Sequence, residues 1–143
     1  MDSVILFVNG HTHEHVEEAM RPYGLKDECV SDGSRMFFFR RYQEWVLEIE
    51  PEEAVDLVRQ LGGPVTAAFS AESRRGLNAR FALETLTGVM KTVERTVLED
   101  HFGGLWSTRQ IADHAAAPSH DIFSLAERAR SGAQMEDAPP RDL

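Results

Sequence analysis

The chain of 143 residues is 42% apolar, which suits one compact domain with a real hydrophobic core. Its formal net charge of −9 would repel a phosphate backbone, so nucleic acid is not an expected partner. The single cysteine, Cys29, excludes an internal disulfide and a cysteine-rich zinc site, and no apolar run approaches the roughly 18 residues of a membrane span. The N-terminus lacks the basic start and long apolar stretch of a secretory signal, so we expect a cytoplasmic protein.

The first third of the chain alternates between strand and helix patterns. Residues 4–8 form a continuous apolar run, which predicts a strand buried on both faces. Apolar residues at helical spacing predict a helix over residues 13–23, with Thr12 as its N-cap. Residues 36–40 and 45–50 are rich in aromatic and β-branched side chains, and they predict the two strands of a hairpin.

The next two predicted elements are a helix and a strand, and they complete a mixed order of strands and helices. Pro51 followed by two acids predicts the start of a helix over residues 51–61, which Gly62-Gly63 ends. Residues 64–70 predict another strand. The order strand, helix, strand, strand, helix, strand is βαββαβ, and it resembles the ferredoxin-like fold. We therefore expect an α+β domain with a ferredoxin-like core.

The chain continues beyond that core. We predict a long helix over residues 77–93, a strand over 96–99 and an amphipathic helix over 122–130. Before the last of these, Ser107 and Gln110 have the spacing of a capping box that opens another short helix. The domain is predicted to occupy residues 1–131, and the proline-containing residues 132–143 are expected to be a mobile acidic tail.

The stretch NGHTHEH at residues 9–15 is the candidate metal site. If it is extended, His11, His13 and His15 share one face, as a three-histidine zinc site requires. If a helix begins at His13, the three side chains splay apart and at most His11 and His15 share a side. A strand ending in His-x-His also resembles the start of amidohydrolase-type metallohydrolases, but this chain is too short for their barrel. We predict no metal or cofactor, and keep a small metal-binding enzyme or sensor at these histidines as an alternative.

Other catalytic chemistry has little support in the sequence. Asp27 and Glu28 would raise the pKa of the neighbouring thiol of Cys29, which opposes its activation as a nucleophile. The sequence contains no Gly-x-Ser-x-Gly element and no phosphate-binding loop. We therefore do not expect an enzyme.

Acidic residues are concentrated in the middle of the chain. Six lie within thirteen residues, which are Glu44, Glu48, Glu50, Glu52, Glu53 and Asp56. On the predicted strand over residues 45–50, Glu48 and Glu50 share a face with Val46. The cluster has two interpretations, which are a solvated face with ordinary helix-start acids and a recognition surface for a basic protein.

For the second interpretation we predict a specific partner-binding surface. It consists of the anchor Tyr42 and the five acids Glu44, Glu48, Glu50, Glu52 and Glu53. Three later acids are candidates to extend the charge, namely Glu99, Asp100 and Asp113. Exposed aromatic side chains beside the acids would sharpen this interpretation, and the other candidates are Phe37, Phe39 and Trp106.

The aromatic run over residues 37–39 is typical of a sheet core. Three consecutive rings on a strand cannot all face one side, because successive side chains alternate between the faces. An open sheet face would then carry Phe38, or else Phe37 and Phe39, and a groove there could hold a ligand. A ferredoxin-like regulatory domain that binds a small ligand is therefore a further alternative.

Residues 96–111 read TVLEDHFGGLWSTRQI, with an acid pair, glycines and Trp-Ser before a capped helix. This element resembles one in small single-domain bacterial proteins, some of which look like immunity proteins of toxin systems. The resemblance implies action by binding, so it supplies no catalytic residue. We therefore expect an immunity-type protein that neutralises a basic, toxin-like partner through its acidic surface, while a homodimer stays open.

Overall fold

A computed structural model describes residues 2–73 and 77–116 of the chain. They form an α+β domain around one sheet of seven antiparallel strands. The strands are β1 (Asp2–Val8), β2 (Leu25–Lys26), β3 (Cys29–Ser31), β4 (Met36–Arg41), β5 (Ala67–Ser73), β6 (Thr96–Glu99) and β7 (Leu105–Ser107). The helices are α1 (His13–Met20), α2 (Trp45–Glu48), α3 (Pro51–Leu61), α4 (Leu77–Thr92) and α5 (Thr108–Ala116), and a 3-10 turn covers Arg21–Tyr23.

The strand order across the sheet is β2-β3-β4-β5-β1-β6-β7. The interior strand β1 pairs with β5 on one side and β6 on the other, so that Phe7 lies opposite both Ala68 and Val97. Side chains of β1 are buried on both faces, with Leu6 and Phe7 each exposed by 1% or less. The predicted buried strand over residues 4–8 is therefore confirmed.

One face of the sheet carries the larger core. Helices α1, α4 and α5 pack against it, and α4 confirms the predicted long helix. Met20 of α1 and Leu86 of α4 are fully buried there, together with Phe37 and Phe39 from β4. Two of the three consecutive aromatic rings, those of Phe37 and Phe39, therefore pack in the core of this face.

The second face is covered more narrowly, by α2 and α3. Leu57 and Leu61 of α3 pack on Phe7, Ala68 and Val97, which come from the adjacent strands β1, β5 and β6. The half-buried ring of Trp45 meets Phe7 edge-to-face, with the ring centroids 5.6 Å apart. The second face is the one that shapes the candidate site.

The predicted strand over residues 45–50 is wrong. The chain leaves the sheet after the N–H of Tyr42 donates to the carbonyl of Ala68, and the turn of α2 then closes as the N–H of Ile49 donates to Trp45 at 3.0 Å. Packing of Trp45 on Phe7 outweighs the β propensity of this segment. Glu48 and Glu50 therefore do not share a strand face, and the predicted ferredoxin-like order is not confirmed.

The short hairpin β2–β3 was missed altogether. Asp27 and Glu28 form its two-residue loop with φ values of 50° and 65°, a conformation that such hairpins require but that glycine or asparagine usually supplies. Strands of two and three residues are too short to show an alternating pattern. The sequence therefore held no signal for this hairpin.

The predicted helix caps are mostly confirmed. The hydroxyl of Thr12 accepts a hydrogen bond from the N–H of His15 at 3.1 Å, although α1 ends at Met20 rather than at residue 23. Ser107 and Gln110 form the reciprocal bonds of a capping box at the start of α5. No helix in the described part of the chain is long and apolar enough to cross a membrane. The predicted helix over 122–130 and the predicted tail over 132–143 lie outside the described residues.

Candidate functional site

The three histidines of NGHTHEH do not converge. The imidazole of His13 is half-buried, and its Nε2 accepts the backbone N–H of Ala68 at 3.3 Å. Its ring also meets the ring of Phe69 edge-on, with centroids 5.2 Å apart. The Nε2 lone pair of His13 is thus engaged by a backbone donor of the sheet.

The other two histidines lie together on the outside of α1. The rings of His11 and His15 are stacked, with centroids 4.4 Å apart and planes 12° from parallel. Nitrogen lone pairs lie in the ring plane, so two stacked rings cannot both point at one ion without turning. Across residues 2–73 and 77–116, no three histidine, cysteine or carboxylate side chains are grouped as a metal site would require.

The first residue of the motif, Asn9, has a structural role that the sequence analysis missed. Its side chain is 5% exposed, donates to the carbonyl of Pro64 and accepts from Arg95 at 3.1 Å. Its backbone N–H also donates to the carbonyl of Arg95 at 3.0 Å. A Cβ added at Gly63 would lie 2.8 Å from the side-chain amide nitrogen of Asn9, so the backbone at Gly63 closely approaches this amide. Asn9 thus ties together the end of β1 and the segments that lead into β5 and β6.

The acidic cluster does border a concave site, on the second face of the sheet. Two adjoining cavities of about 250 Å³ and about 160 Å³ lie between the α2–α3 segment and the β6–β7 hairpin. Both are lined by Phe7 and Ile49. Four carboxylates stand around them, which are Glu48, Glu53, Asp56 and Glu99. We call this site the acidic cleft.

The helix α3 positions one wall of the acidic cleft. Glu53, Asp56 and Gln60 recur at spacings of three and four residues, which places them on one side of the helix. Glu53 is also held by its capping role, since its Oε1 accepts the backbone N–H of Glu50 at 3.1 Å. This carboxylate therefore stands at the mouth of the cleft with its position fixed by local structure.

The opposite wall carries Glu99, at the end of β6. The pKa of this carboxyl is raised above its ordinary value, first by burial and then by the like charges of Glu53 and Asp100. Within the described residues no cation pairs with Glu48, Glu53 or Glu99, whereas Asp56 pairs with Arg59 at 2.8 Å. The cleft thus concentrates negative charge that the described part of the chain leaves unneutralised.

The predicted partner-binding residues divide between the acidic cleft and its surroundings. Tyr42, Glu48 and Glu53 line the cleft. Glu44, Glu50 and Glu52 are exposed on the adjoining turns but do not line it. Phe7 was not predicted as a lining residue of the cleft. A strand that is buried on both faces has a continuous apolar pattern, and this pattern does not show which face borders a cavity.

Asp100 was a candidate to extend the acidic surface, but it does not belong to that surface. It is 6% exposed, and its carboxylate accepts hydrogen bonds from the N–H groups of Phe102 and Gly104 and from the indole of Trp106, each at 2.8 Å. A Cβ added at Gly104 would lie 2.9 Å from that carboxylate. The acid, glycine and tryptophan of residues 96–111 therefore build a hairpin loop. Asp113 is exposed on α5 and is not among the residues that line the cleft.

The other aromatic candidates lie away from the cleft. Phe37 and Phe39 are buried under the helices of the first face. Phe38 points to the second face, where the guanidinium of Arg40 lies 4.7 Å from the centre of its ring. Arg40 also pairs with Glu28 and Glu72. The side chain of Arg40 thus covers the ring of Phe38, and the predicted ligand groove is not formed at this ring.

The chemistry of the acidic cleft suits a cation with some apolar surface. Carboxylates attract an ammonium or guanidinium group, and the half-buried side chains of Tyr42 and Trp45 can contact its carbon stem. No protein-family model, curated protein or solved structure matches this chain.

Proposed function

We propose that this chain is a protein-binding module that engages a basic partner through the acidic cleft. In its specific form, it is an immunity-type protein that neutralises a bacterial toxin by direct binding. The observation that carries the proposal is the set of three carboxylates, Glu48, Glu53 and Glu99, around an aromatic floor with no cation paired to them in the described chain. A basic side chain of the partner would supply that cation.

The size of the cleft supports the insertion of an arginine or lysine side chain. Adjoining cavities of about 250 Å³ and about 160 Å³ have room for the stem and head of such a residue. An arginine is the better fit, because its planar head binds carboxylates through two hydrogen bonds and stacks on aromatic rings. Tyr42 and Trp45 would then contact the stem while Glu53 and Glu99 bind the head.

Charge and resemblance support the specific form. The net charge of −9 would accelerate encounter with a basic toxin, and buried aromatic contacts would slow its release. The segment that resembles an immunity-protein element, residues 96–111, also contributes Glu99, Gly103 and Leu105 to the lining of the cleft. Binding at the toxin's catalytic surface would block its substrate.

Affinity capture from the native cell lysate tests this function. We expect the full chain to retain one stoichiometric basic protein that is released as salt is raised. The double variant Glu48→Gln, Glu99→Gln should lose that protein, because both substitutions remove charge from the cleft while keeping side-chain size. Glu18→Gln is the matched control, since Glu18 is an exposed acid on α1 and its ion pair with Arg21 is also exposed. Equal retention by the double variant and the control would contradict a role for the cleft.

We also propose that part of the sheet is a ferredoxin-like unit built from other elements than the sequence analysis used. The strands β1, β4, β5 and β6 lie side by side in the order β4-β5-β1-β6, and α1 and α4 pack on the same face. Read in chain order, these elements are βαββαβ, with α2 and α3 in the connection between the second and third strands. An experimental structure in which α1 and α4 cover opposite faces would contradict this assignment.

A further inference from the structure

The outer side of the α2–α3 segment carries an exposed apolar surface. The exposed fractions are 60% for Val46, 85% for Leu47, 58% for Val55 and 43% for Val58. Two other large apolar side chains in the described residues, Tyr23 and Met36, are comparably exposed, but they lie elsewhere. Isolated exposed apolar residues are ordinary, whereas four within thirteen positions of two consecutive helices mark a candidate interaction surface. We call these four residues the apolar flank.

The apolar flank is distinct from the acidic cleft. On α3, Val55 and Val58 are three residues apart and share one side, while Glu53 and Gln60 face the cleft on another. On α2, Glu48 lines the cleft, whereas Val46 and Leu47 do not. The same short helices therefore present carboxylates on one side and aliphatic groups on the other.

The charge around the apolar flank restricts what can cover it. Residues 44–61 contain six acids and one arginine, a net charge of −5. A second copy of this chain would bring two such segments together, and an anionic lipid surface would be repelled for the same reason. Charge complementarity therefore favours a positively charged protein segment. The aliphatic side chains require that this segment also have an apolar side.

We propose that the apolar flank docks a basic amphipathic helix of the partner protein. Its apolar side would cover Leu47, Val55 and Val58, as in the binding of helices to hydrophobic surfaces. Its lysine or arginine side chains would meet two exposed acids, which are Glu44 directly before α2 and Glu52 in the first turn of α3. This inference rests on the proposed function, since it names the kind of segment by which the basic partner binds.

A synthetic peptide tests the docking without knowledge of the partner. The probe is an 18-residue helix-forming peptide of leucine and lysine, without tryptophan, whose leucines recur at spacings of three and four residues. The control peptide has the same composition in an order that breaks this period. We expect the full chain to bind the first peptide at least tenfold more tightly than the second by titration calorimetry, because only the first presents a continuous apolar side.

Variants locate the binding site of the peptide. Leu47→Ser with Val55→Ser should weaken binding of the periodic peptide at least tenfold, since both side chains are exposed and contribute little to the fold. Met36→Ser is the matched control, because Met36 is 43% exposed and lies on β4 away from the flank. Circular dichroism and the thermal midpoint would show that each variant remains folded. Unchanged affinity in a folded double variant would overturn the inference.

The remaining outcomes separate this inference from the proposed function. If Glu48→Gln with Glu99→Gln abolishes partner capture but the flank variant retains the partner, the cleft binds it and the flank inference is wrong. Equal binding of both peptides would also overturn the inference, since charge alone would then explain the binding. A wild-type dimer by light scattering that becomes a monomer in the flank variant would show that a second copy covers the flank, with the same consequence.

Discussion

The backbone N–H of Ala68 donates to the imidazole of His13 across a sequence separation of 55 residues, at 3.3 Å. Ala68 lies on β5 near the end of its pairing with β4, because the chain leaves the sheet after Tyr42. The imidazole therefore accepts a strand N–H at the place where the β4 pairing ends. An unsatisfied strand N–H is costly when it is shielded from water. His13, which resembled a metal ligand in the sequence, therefore satisfies a strand N–H from its position at the start of α1.

Replacement of His13 by alanine should lower the free energy of unfolding by about 1–3 kcal/mol, because it removes this acceptor and the packing on Phe69. Chemical denaturation of the purified protein measures the change. His15→Ala is the control, since His15 is exposed and its ring stacks on that of His11, so a change within about 0.5 kcal/mol is expected. One equivalent of metal in the wild type that disappears in His13→Ala would instead restore the metal hypothesis.

Asn9→Ala should destabilise the fold by about 2–3 kcal/mol, because it leaves the carbonyl of Pro64 and the guanidinium of Arg95 without their amide partner. Gly63→Ala should also destabilise the protein, since its new methyl group would press on the same amide. The two losses should not add, because removal of the amide makes room for the methyl group. Denaturation of both single variants and the double variant measures this coupling, and simple additivity would contradict the close approach.

Glu28→Gly should raise the free energy of unfolding by about 0.5–1 kcal/mol. Glu28 has a φ of 65°, a conformation that costs an L side chain energy and glycine little. Its ion pair with Arg40, at 3.4 Å between exposed side chains, contributes little in return. The control is Glu18→Gly in α1, where glycine in a helix should destabilise by about 1 kcal/mol. A loss of stability in Glu28→Gly would mean that the hairpin loop needs the glutamate side chain.

The acidic cleft should make stability depend on pH through Glu99. Its pKa is raised in the folded protein by burial and by Glu53 and Asp100, so the folded state holds this proton at pH values where the unfolded chain has released it. Stability should therefore fall as the pH rises from the ordinary carboxyl value, about 4.3, through the raised folded value. Glu99→Gln should remove this component and flatten the profile of unfolding free energy at pH values above the ordinary carboxyl pKa. Identical slopes in the variant and the wild type would show that Glu99 is not desolvated.

A basic partner should reverse this effect at Glu99. A guanidinium in the cleft favours the ionised carboxylate, so partner binding should release a proton and strengthen as the pH rises through the raised pKa of Glu99. Titration calorimetry in buffers of different ionisation enthalpy measures the released proton. The Glu99→Gln variant should release less.

Features that depend on neighbouring residues were predicted from the sequence. The buried strand β1, the long helix α4, the N-cap of Thr12 and the capping box at Ser107 all follow from apolar periodicity or from hydrogen bonds within one turn. The acids of the candidate surface could also be identified from the sequence, because they are clustered along the chain itself. These features were predictable because the interactions that form them span only a few residues.

Only the tertiary structure decided what those residues do. Residues 45–50 have strand propensity, yet the contact of Trp45 with Phe7 holds their first turn as a helix and turns Glu48 towards the cleft. The separation of His13 from His11 and His15, and the approach of Glu99 to Glu53, likewise depend on chain segments that are far apart in sequence. Such placements depend on how helices and strands pack, and packing energies are sums over many distant contacts that no local pattern records.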